Sequence, residues 1–163
     1  MIDESLVNVI NEQINKEFYS AYLYLSMGQY FEKRNLKGFG RWFYIQYKEE
    51  IKHAEKLISY LNERGGRVIL KSIPEPKLEW NSALEAFSDA YEHERFITNS
   101  IEGLLKLAIE KDDFATQNML NWFIDEQIEE EANTYLIVEK IKLIGENGQM
   151  LYMLDKELGA RSE

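Results

Sequence analysis

The chain has no cysteine, which excludes a disulfide framework, a cysteine-type zinc site and thiolate catalysis. Glycine and proline are scarce, at 9 and 2 of 163 residues, and that excludes a disordered or low-complexity chain. Positive charge is in deficit too, with 19 basic residues against 29 acidic ones and a net charge of −10. Nucleic acid, whose phosphates demand a basic face, is therefore not an expected partner, whereas small cations are. No run approaches the roughly 18 apolar residues of a membrane span. The start, Met1-Ile2-Asp3-Glu4-Ser5, lacks the basic and apolar regions of a signal peptide. The expectation is a cytoplasmic protein with no membrane partner.

What is present is a helical pattern. Apolar residues make up 45% of the chain, and with no break in composition they predict one domain over residues 1–163. Four long stripes follow a helical period. The first reads Leu6, Ile10, Ile14, Glu17, Ala21, Tyr24 and Phe31. The second reads Phe39, Phe43, Gln46, Glu50, His53, Leu57 and Tyr60, and stops at Gly65-Gly66. The third reads Leu84, Phe87, Tyr91, Glu94, Ile101, Leu105 and Ala108, opened by the capping-box spacing of Ser82 and Glu85. The fourth reads Leu120, Phe123, Gln127, Glu130, Thr134, Ile137 and Ile141, with Asp112-Asp113 as candidate caps. Beyond Gly145-Glu146-Asn147-Gly148, the spacing of Met150, Leu151, Leu154 and Leu158 predicts a shorter fifth helix.

The first-to-second and third-to-fourth joins are only a few residues long, which predicts two antiparallel hairpins. Residues 66–82 form a longer link and hold both prolines, Pro74 and Pro76. A helix over 38–64 is roughly 40 Å long at ~1.5 Å per residue. The extended link reaches about 55 Å at ~3.3 Å per residue. It can run back along the whole bundle and leave the second and third helices parallel, with one long crossover. Val68-Ile69-Leu70 within it is apolar enough to call for cover, such as another subunit. The near-heptad stripes fit shallow crossing angles of about 20°.

Five polar residues interrupt the stripes: Glu17, Glu50, His53, Glu94 and Glu130. They repeat with one offset, since adding 77 to 17 gives 94, to 53 gives 130, and to 50 gives Gln127. A carboxylate in an apolar core is costly unless it is paired, protonated or bound to a cation. A lone Glu on an amphipathic helix is usually solvated, and a lone Glu-x-x-His is common by chance. Four helices that each carry an inward ligand at matched depth make a much stronger pattern. Glu50 and His53, one turn apart on one face, can bind a single metal. In the run Glu129-Glu130-Glu131 successive side chains point about 100° apart, so Glu130 joins the stripe and Glu131 lies outside. Glu49, Glu126 and Glu129 flank the stripes and offer a neighbouring, more exposed cation site. His93 falls off the stripe, as a surface or supporting residue. Tyr24 reads as core packing, with a phenol able to give an electron to a redox metal. Trp42, Trp80 and Trp122 read as packing residues.

Mostly carboxylate oxygen, one imidazole and no thiolate disfavour structural zinc and suit iron or manganese. Such a set can hold two divalent ions, and an open position would admit dioxygen. Two Fe(II) ions held together can each give an electron to oxygen, which avoids release of a one-electron radical.

This arrangement resembles the ferritin-like di-iron carboxylate proteins, and among them the non-haem prokaryotic ferritins. The match runs from Asn11-Glu-Gln-Ile-Asn-Lys-Glu17 through Glu126-Gln-Ile-Glu-Glu130 to Leu151-Tyr-Met-Leu-Asp-Lys-Glu157-Leu158. The resemblance implies an all-α, ferritin-like four-helix bundle with one long crossover and a short fifth C-terminal helix. It implies a ferroxidase centre in which Glu17, Glu50 and His53 hold one iron and Glu50, Glu94 and Glu130 hold a second. Gln127 would lie on the oxygen-binding side, and Tyr24 beside the centre. A third iron site would use Glu49, Glu126, Glu129 and Glu130. Fe(II) would be oxidised by dioxygen or hydrogen peroxide and stored as a ferric oxide mineral inside a shell of 24 subunits.

Departures narrow the subfamily. Bacterioferritins repeat Glu-x-x-His in both halves, whereas the second copy here reads Gln127-Ile-Glu-Glu130, and Ile51 stands where they carry a haem-ligating methionine. Haem is not expected. Rubrerythrins usually add a cysteine-ligated iron module, which zero cysteines exclude. The mini-ferritins that protect DNA build their site between subunits and lack the fifth helix. Two other functions fit less of the chain. A di-iron oxidase or oxygenase for an organic substrate needs an apolar channel, and no insertion here builds one. A metal-free interaction scaffold needs its buried acids paired with Lys or Arg, and nothing basic recurs on the stripes.

Overall fold

The structure is a computed structural model and describes residues 1–145 and 147–163; Glu146, in the expected turn before the last helix, lies outside the described residues. Five α-helices form among the described residues: α1 (Glu4–Lys33), α2 (Lys37–Glu63), α3 (Ala83–Glu110), α4 (Phe114–Ile144) and α5 (Gly148–Gly159). The fold is an all-α four-helix bundle with one long crossover and a short fifth helix. α1 packs chiefly on α2 and α3 on α4, the two hairpins that the short joins require, and α5 lies against α2.

Local chemistry sets the boundaries. Asp3, Ser82, Asp113 and Asn147 each accept a hydrogen bond from a first-turn amide of α1, α3, α4 and α5, respectively. The first three helices end on left-handed residues: Asn35 (φ 60°), Gly65 (φ 74°) and Asp112 (φ 50°). The next amides, of Leu36, Gly66 and Asp113, then bond back to the carbonyls of Phe31, Leu61 and Ala108.

α2 lacks a cap of its own, because Leu36 at its N-cap has no side-chain acceptor. Asp155 of α5 supplies one across the fold, accepting from the Phe39 amide at 2.9 Å. The two backbones meet closely here. A Cβ on Gly38 would lie 1.7 Å from the Asp155 carbonyl oxygen, and one on Gly159 would lie 2.9 Å from the Gly38 Cα. Glycine at both positions lets α5 seat on the start of α2.

The crossover runs along α1 in the direction of that helix. Asn11 donates to the Arg67 carbonyl at 2.9 Å and accepts from the Ile69 amide at 2.7 Å. Farther on, Asn15 donates to the Ser72 carbonyl at 3.2 Å and Ser26 to the Lys77 carbonyl at 2.7 Å. The chain thus returns to the far end of the bundle before α3 begins, which makes α3 parallel to α2.

The core divides into two apolar clusters. One holds Met27, Phe31, Phe39, Phe43, Phe87 and Ile141 with their neighbours. The other holds Leu6, Ile10, Leu57, Leu61, Ile101 and Leu120. Asp155→Ala should lower stability by about 1–2 kcal/mol, because a buried capping acceptor is lost and the Phe39 amide is left unpaired. Thermal unfolding of the assembled protein measures this, and an unchanged midpoint would count against the cap.

Candidate metal centre

Between the two clusters lies a polar layer. Along α1, Glu17 follows Ile14 of one cluster and precedes Leu23 of the other; on α2, Glu50 and His53 sit between Phe43 and Leu57. Glu94 falls between Ala90 and Ile97 on α3, and Gln127 and Glu130 between Phe123 and Ile137 on α4. All six polar residues are between 1% and 6% exposed. The offset of 77 residues therefore corresponds to one depth in the bundle, reached once by each hairpin.

Their ligand atoms converge. Glu17, Glu50 and His53 offer atoms within 4.8 Å of one another, as do Glu50, Glu94 and Glu130, and a third group joins His53, Glu126 and Glu130. His53 Nδ1 is 3.3 Å from Glu50 Oε2 and 3.9 Å from Glu17 Oε2. Its Nε2 is 3.7 Å from Glu126 Oε2. Glu50 alone is common to the first two groups. Among the described residues, three buried side-chain atoms have no hydrogen-bond partner: Glu17 Oε2, Glu50 Oε1 and His53 Nδ1. Each such atom costs about 1–3 kcal/mol, and one cation among them would satisfy all three. Carboxylate oxygens with a single imidazole fit Fe(II) or Mn(II).

The surrounding residues hold this layer in place. Tyr24, fully buried, donates its phenol proton to Glu94 Oε1. Burial, reinforced by the Glu94 charge, pushes the phenol well above its usual range, so it remains a donor. Gln127 Nε2 donates to Glu94 Oε2 at 3.1 Å and to the Glu94 carbonyl at 3.2 Å. His93 shares a 2.7 Å hydrogen bond with Ser20 and meets the Tyr24 ring edge-on. Burial lowers its pKa to about 4, which keeps it neutral beside the phenol.

Trp122 departs from the packing role read for it. It is 37% exposed, meets His53 edge-on at 5.5 Å between ring centroids and carries the Lys56 ammonium over its face. It walls the imidazole off from solvent, whereas Trp42 and Trp80 are core residues. Of the flanking acids, half-buried Glu126 reaches His53. Glu129 is exposed and joins none of the three groups. Glu49 accepts from Arg161 Nη2 at 2.7 Å. The three groups thus gather Glu126 with His53 and Glu130 and include neither Glu49 nor Glu129, although the charge of Glu49 acts on Glu130. Gln13, Ser100 and Arg161 also reach the layer, although no ligand spacing marks them. The only signal was a glutamine one turn before a ligand, at Gln13 and Gln46.

A bundle whose two hairpins meet across a buried carboxylate layer defines the class of di-metal carboxylate proteins. Residues 7–144 match the family model described as a ferritin-like domain. The chain is 45% identical to the bacterial non-heme ferritin of Campylobacter jejuni over 156 residues, covering 96% of this chain and 93% of that one. It is 39% identical to the bacterial non-heme ferritin of Staphylococcus saprophyticus over 162 residues, covering 99% and 97%. An open pore ferritin from the hyperthermophilic archaeon Archaeoglobus fulgidus superposes with a TM-score of 0.98 at 50% identity, covering 99% and 100% of the two chains. The chain belongs to the ferritin family.

Burial gives the layer a pH dependence. It raises the Glu50 carboxyl well above its usual range, with the charges of Glu94, Glu17 and Glu130 adding to the effect. Glu94 is pushed up to about 7 and Glu130 to about 9, again chiefly by burial. These acids bind protons more tightly folded than unfolded. Their contribution to stability is complete below the ordinary value of 4.5 and is lost as pH rises through about 7 and 9. Metal-free protein should therefore lose stability between about pH 5 and 9, and a divalent cation should restore it. Cation binding near pH 7 should release protons, seen as a titration heat that varies with the buffer's ionisation enthalpy. Binding with no proton release would contradict the burial of protonated carboxyls.

Proposed function

We propose that this ferritin stores and detoxifies iron, oxidising Fe(II) to Fe(III) at the carboxylate layer. The observation that carries this reading is the convergence of unpartnered Glu17 Oε2, Glu50 Oε1 and His53 Nδ1, whose ion pairs among the described residues join only one another and Glu126. On this reading Glu17, Glu50 and His53 hold one Fe(II), and Glu50, Glu94 and Glu130 hold the other. Two Fe(II) ions give two electrons to one dioxygen, which with two protons becomes hydrogen peroxide, and neither iron has to release a radical. Hydrogen peroxide as oxidant accepts two electrons and two protons and becomes two waters. The Tyr24 phenol and Gln127 amide orient Glu94, and Gln127 stands on the side open to oxygen. Glu126, with His53 and Glu130, offers an onward step for ferric ion, and Glu49 and Glu129 extend that path toward a third iron. Haem has no place in the reading.

Ferric ion would pass to a mineral enclosed by a shell of 24 copies. The apolar surface left by one chain supports contact between copies. Ile69 and Leu70 of the crossover are exposed, Leu70 to 71%, and they line a groove with Ile14, Phe18 and Ile73. A second exposed set consists of Met150, Tyr152 and Met153 on α5 and Leu143 near the end of α4. Such faces are usual at subunit interfaces. Residues 1–163 act here as one domain, and the proposed location is the cytoplasm; no described helix is long and apolar enough to cross a membrane. The second reading, a di-iron oxidase or oxygenase acting on an organic substrate, shares the same centre and differs in how much iron the protein retains.

Aerobic Fe(II) addition tests the proposal. Many irons retained per chain mean storage, whereas two per chain without mineral would mean an oxidase. Glu50→Ala should cut the initial oxidation rate at least roughly tenfold while assembly persists, because both iron positions lose a ligand. An unchanged rate would remove Glu50 from the centre. Light scattering should give a particle of about 463 kDa, twenty-four times the 19.3 kDa chain. A monomer or dimer would contradict the shell.

A further inference from the structure

The ligand carboxylates differ in how their second oxygen is held. Gln13 Nε2 donates to Glu17 Oε1 at 2.7 Å, and Gln46 Nε2 donates to Glu130 Oε2. Both glutamines are 1% exposed, and each precedes a ligand of its own helix by one turn, Gln13 before Glu17 and Gln46 before Glu50. An amide has a donor end and an acceptor end, so it clamps a carboxylate only if something decides which end faces it.

Each glutamine has such a determinant. Ser100 Oγ donates to Gln13 Oε1 at 2.6 Å, and Lys16 Nζ donates to Ser100 Oγ at 2.7 Å. Arg161 Nη1 donates to Gln46 Oε1 at 2.9 Å. Neither an ammonium nor a guanidinium can accept a hydrogen bond. Both chains of donors therefore run one way, from a cation at the outside to a carboxylate in the core. Arg161 is itself seated, with Nη2 on Glu49 at 2.7 Å and its guanidinium 4.8 Å from the centre of the Trp42 ring. It lies two residues beyond α5, the helix that Asp155 and the Gly38–Gly159 contact fasten to α2.

We propose that Gln13 and Gln46 are positioning residues of the metal centre, each locked with its NH2 end on a ligand carboxylate by a chain that ends on Lys16 or Arg161. The inference rests on the reading of the carboxylate layer as a two-cation site. Each clamp occupies one oxygen of Glu17 or Glu130 and leaves the other for the cation. Without the outer donor the amide is free to turn its oxygen toward the carboxylate, and the repulsion moves that ligand away. The Lys16–Ser100–Gln13 chain thus governs the position formed by Glu17, Glu50 and His53. The Arg161–Gln46 chain governs the one formed by Glu50, Glu94 and Glu130, and makes it depend on the docked C-terminal tail. Glu50, which belongs to both positions, has no glutamine clamp among the described residues.

Co(II) titration of the assembled, metal-free protein tests this by calorimetry, with no turnover involved. Wild type should bind two Co(II) per chain in the buried layer, counted apart from any at the more exposed Glu126 position. Gln13→Leu and Ser100→Ala should each weaken one of them roughly tenfold, and Gln46→Leu and Arg161→Ala the other, the scale of a lost supporting hydrogen bond. Members of one chain should not add: R161A with Q46L should be no worse than Q46L alone. Members of different chains should add, so R161A with S100A should weaken both positions. Arg161→Lys, which keeps a donor, should recover part of the loss. If the glutamine variants do not assemble, R161A and S100A at the outer ends decide the matter. Affinities equal to wild type in R161A and S100A, or additivity within a chain, would overturn the inference. Wild type that binds no Co(II) would instead overturn the reading of the centre.

Discussion

Four carboxylates, Glu17, Glu50, Glu94 and Glu130, are buried at one level between two apolar clusters, with no lysine or arginine among the described residues paired to any of them. An ionised carboxylate taken out of water costs several kcal/mol unless its charge is matched. Only protons or metal cations are small enough to match four at this depth. Without metal, burial favours the protonated forms of three of them, raising Glu50, Glu94 and Glu130 together. A divalent cation must displace those protons, so occupancy of the layer is tied to pH as well as to metal concentration. The layer is a standing cost to the fold without metal.

The rest of the molecule meets that cost by packing on both sides. Phe31, Phe39, Phe43 and Phe87 form an aromatic block on one side, and aliphatic residues from all four helices close the other. Register between the hairpins has to be kept to a fraction of a helical turn, or the four ligands would not share a depth. The crossover, bonded to Asn11, Asn15 and Ser26, sets where α3 begins. At the opposite corner, Asp155 of α5 caps α2, the helix that supplies both Glu50 and His53. Two features remote from the layer therefore fix its geometry.

Periodicity made the helices, the antiparallel hairpins and the direction of the crossover legible in the sequence, because an apolar stripe and a reach along the chain are local quantities. The same periodicity marked the inward acids, since a charged residue inside a stripe is conspicuous where one on a solvated face is not. Contacts between distant elements were not legible in this way. Asp155 carries no spacing that pairs it with α2, and only the fold brings it to Phe39, 116 residues away. Gln13 gains its meaning from Ser100 on α3, and Gln46 from Arg161, which follows α5 and has no periodicity to betray it. Glu49 carried the same spacing signal as Glu126, yet Arg161 takes its carboxylate. Trp122 read as a packing residue, and it lies at the solvent edge of His53.

The central claim is that the buried acids exist to hold two irons. Diffraction at the iron absorption edge, from crystals soaked with Fe(II) without oxygen, addresses it most directly. The expected result is two anomalous peaks per chain, one among Glu17, Glu50 and His53 and one among Glu50, Glu94 and Glu130. Peaks confined to surface acids, with none in the layer between the two apolar clusters, would contradict it.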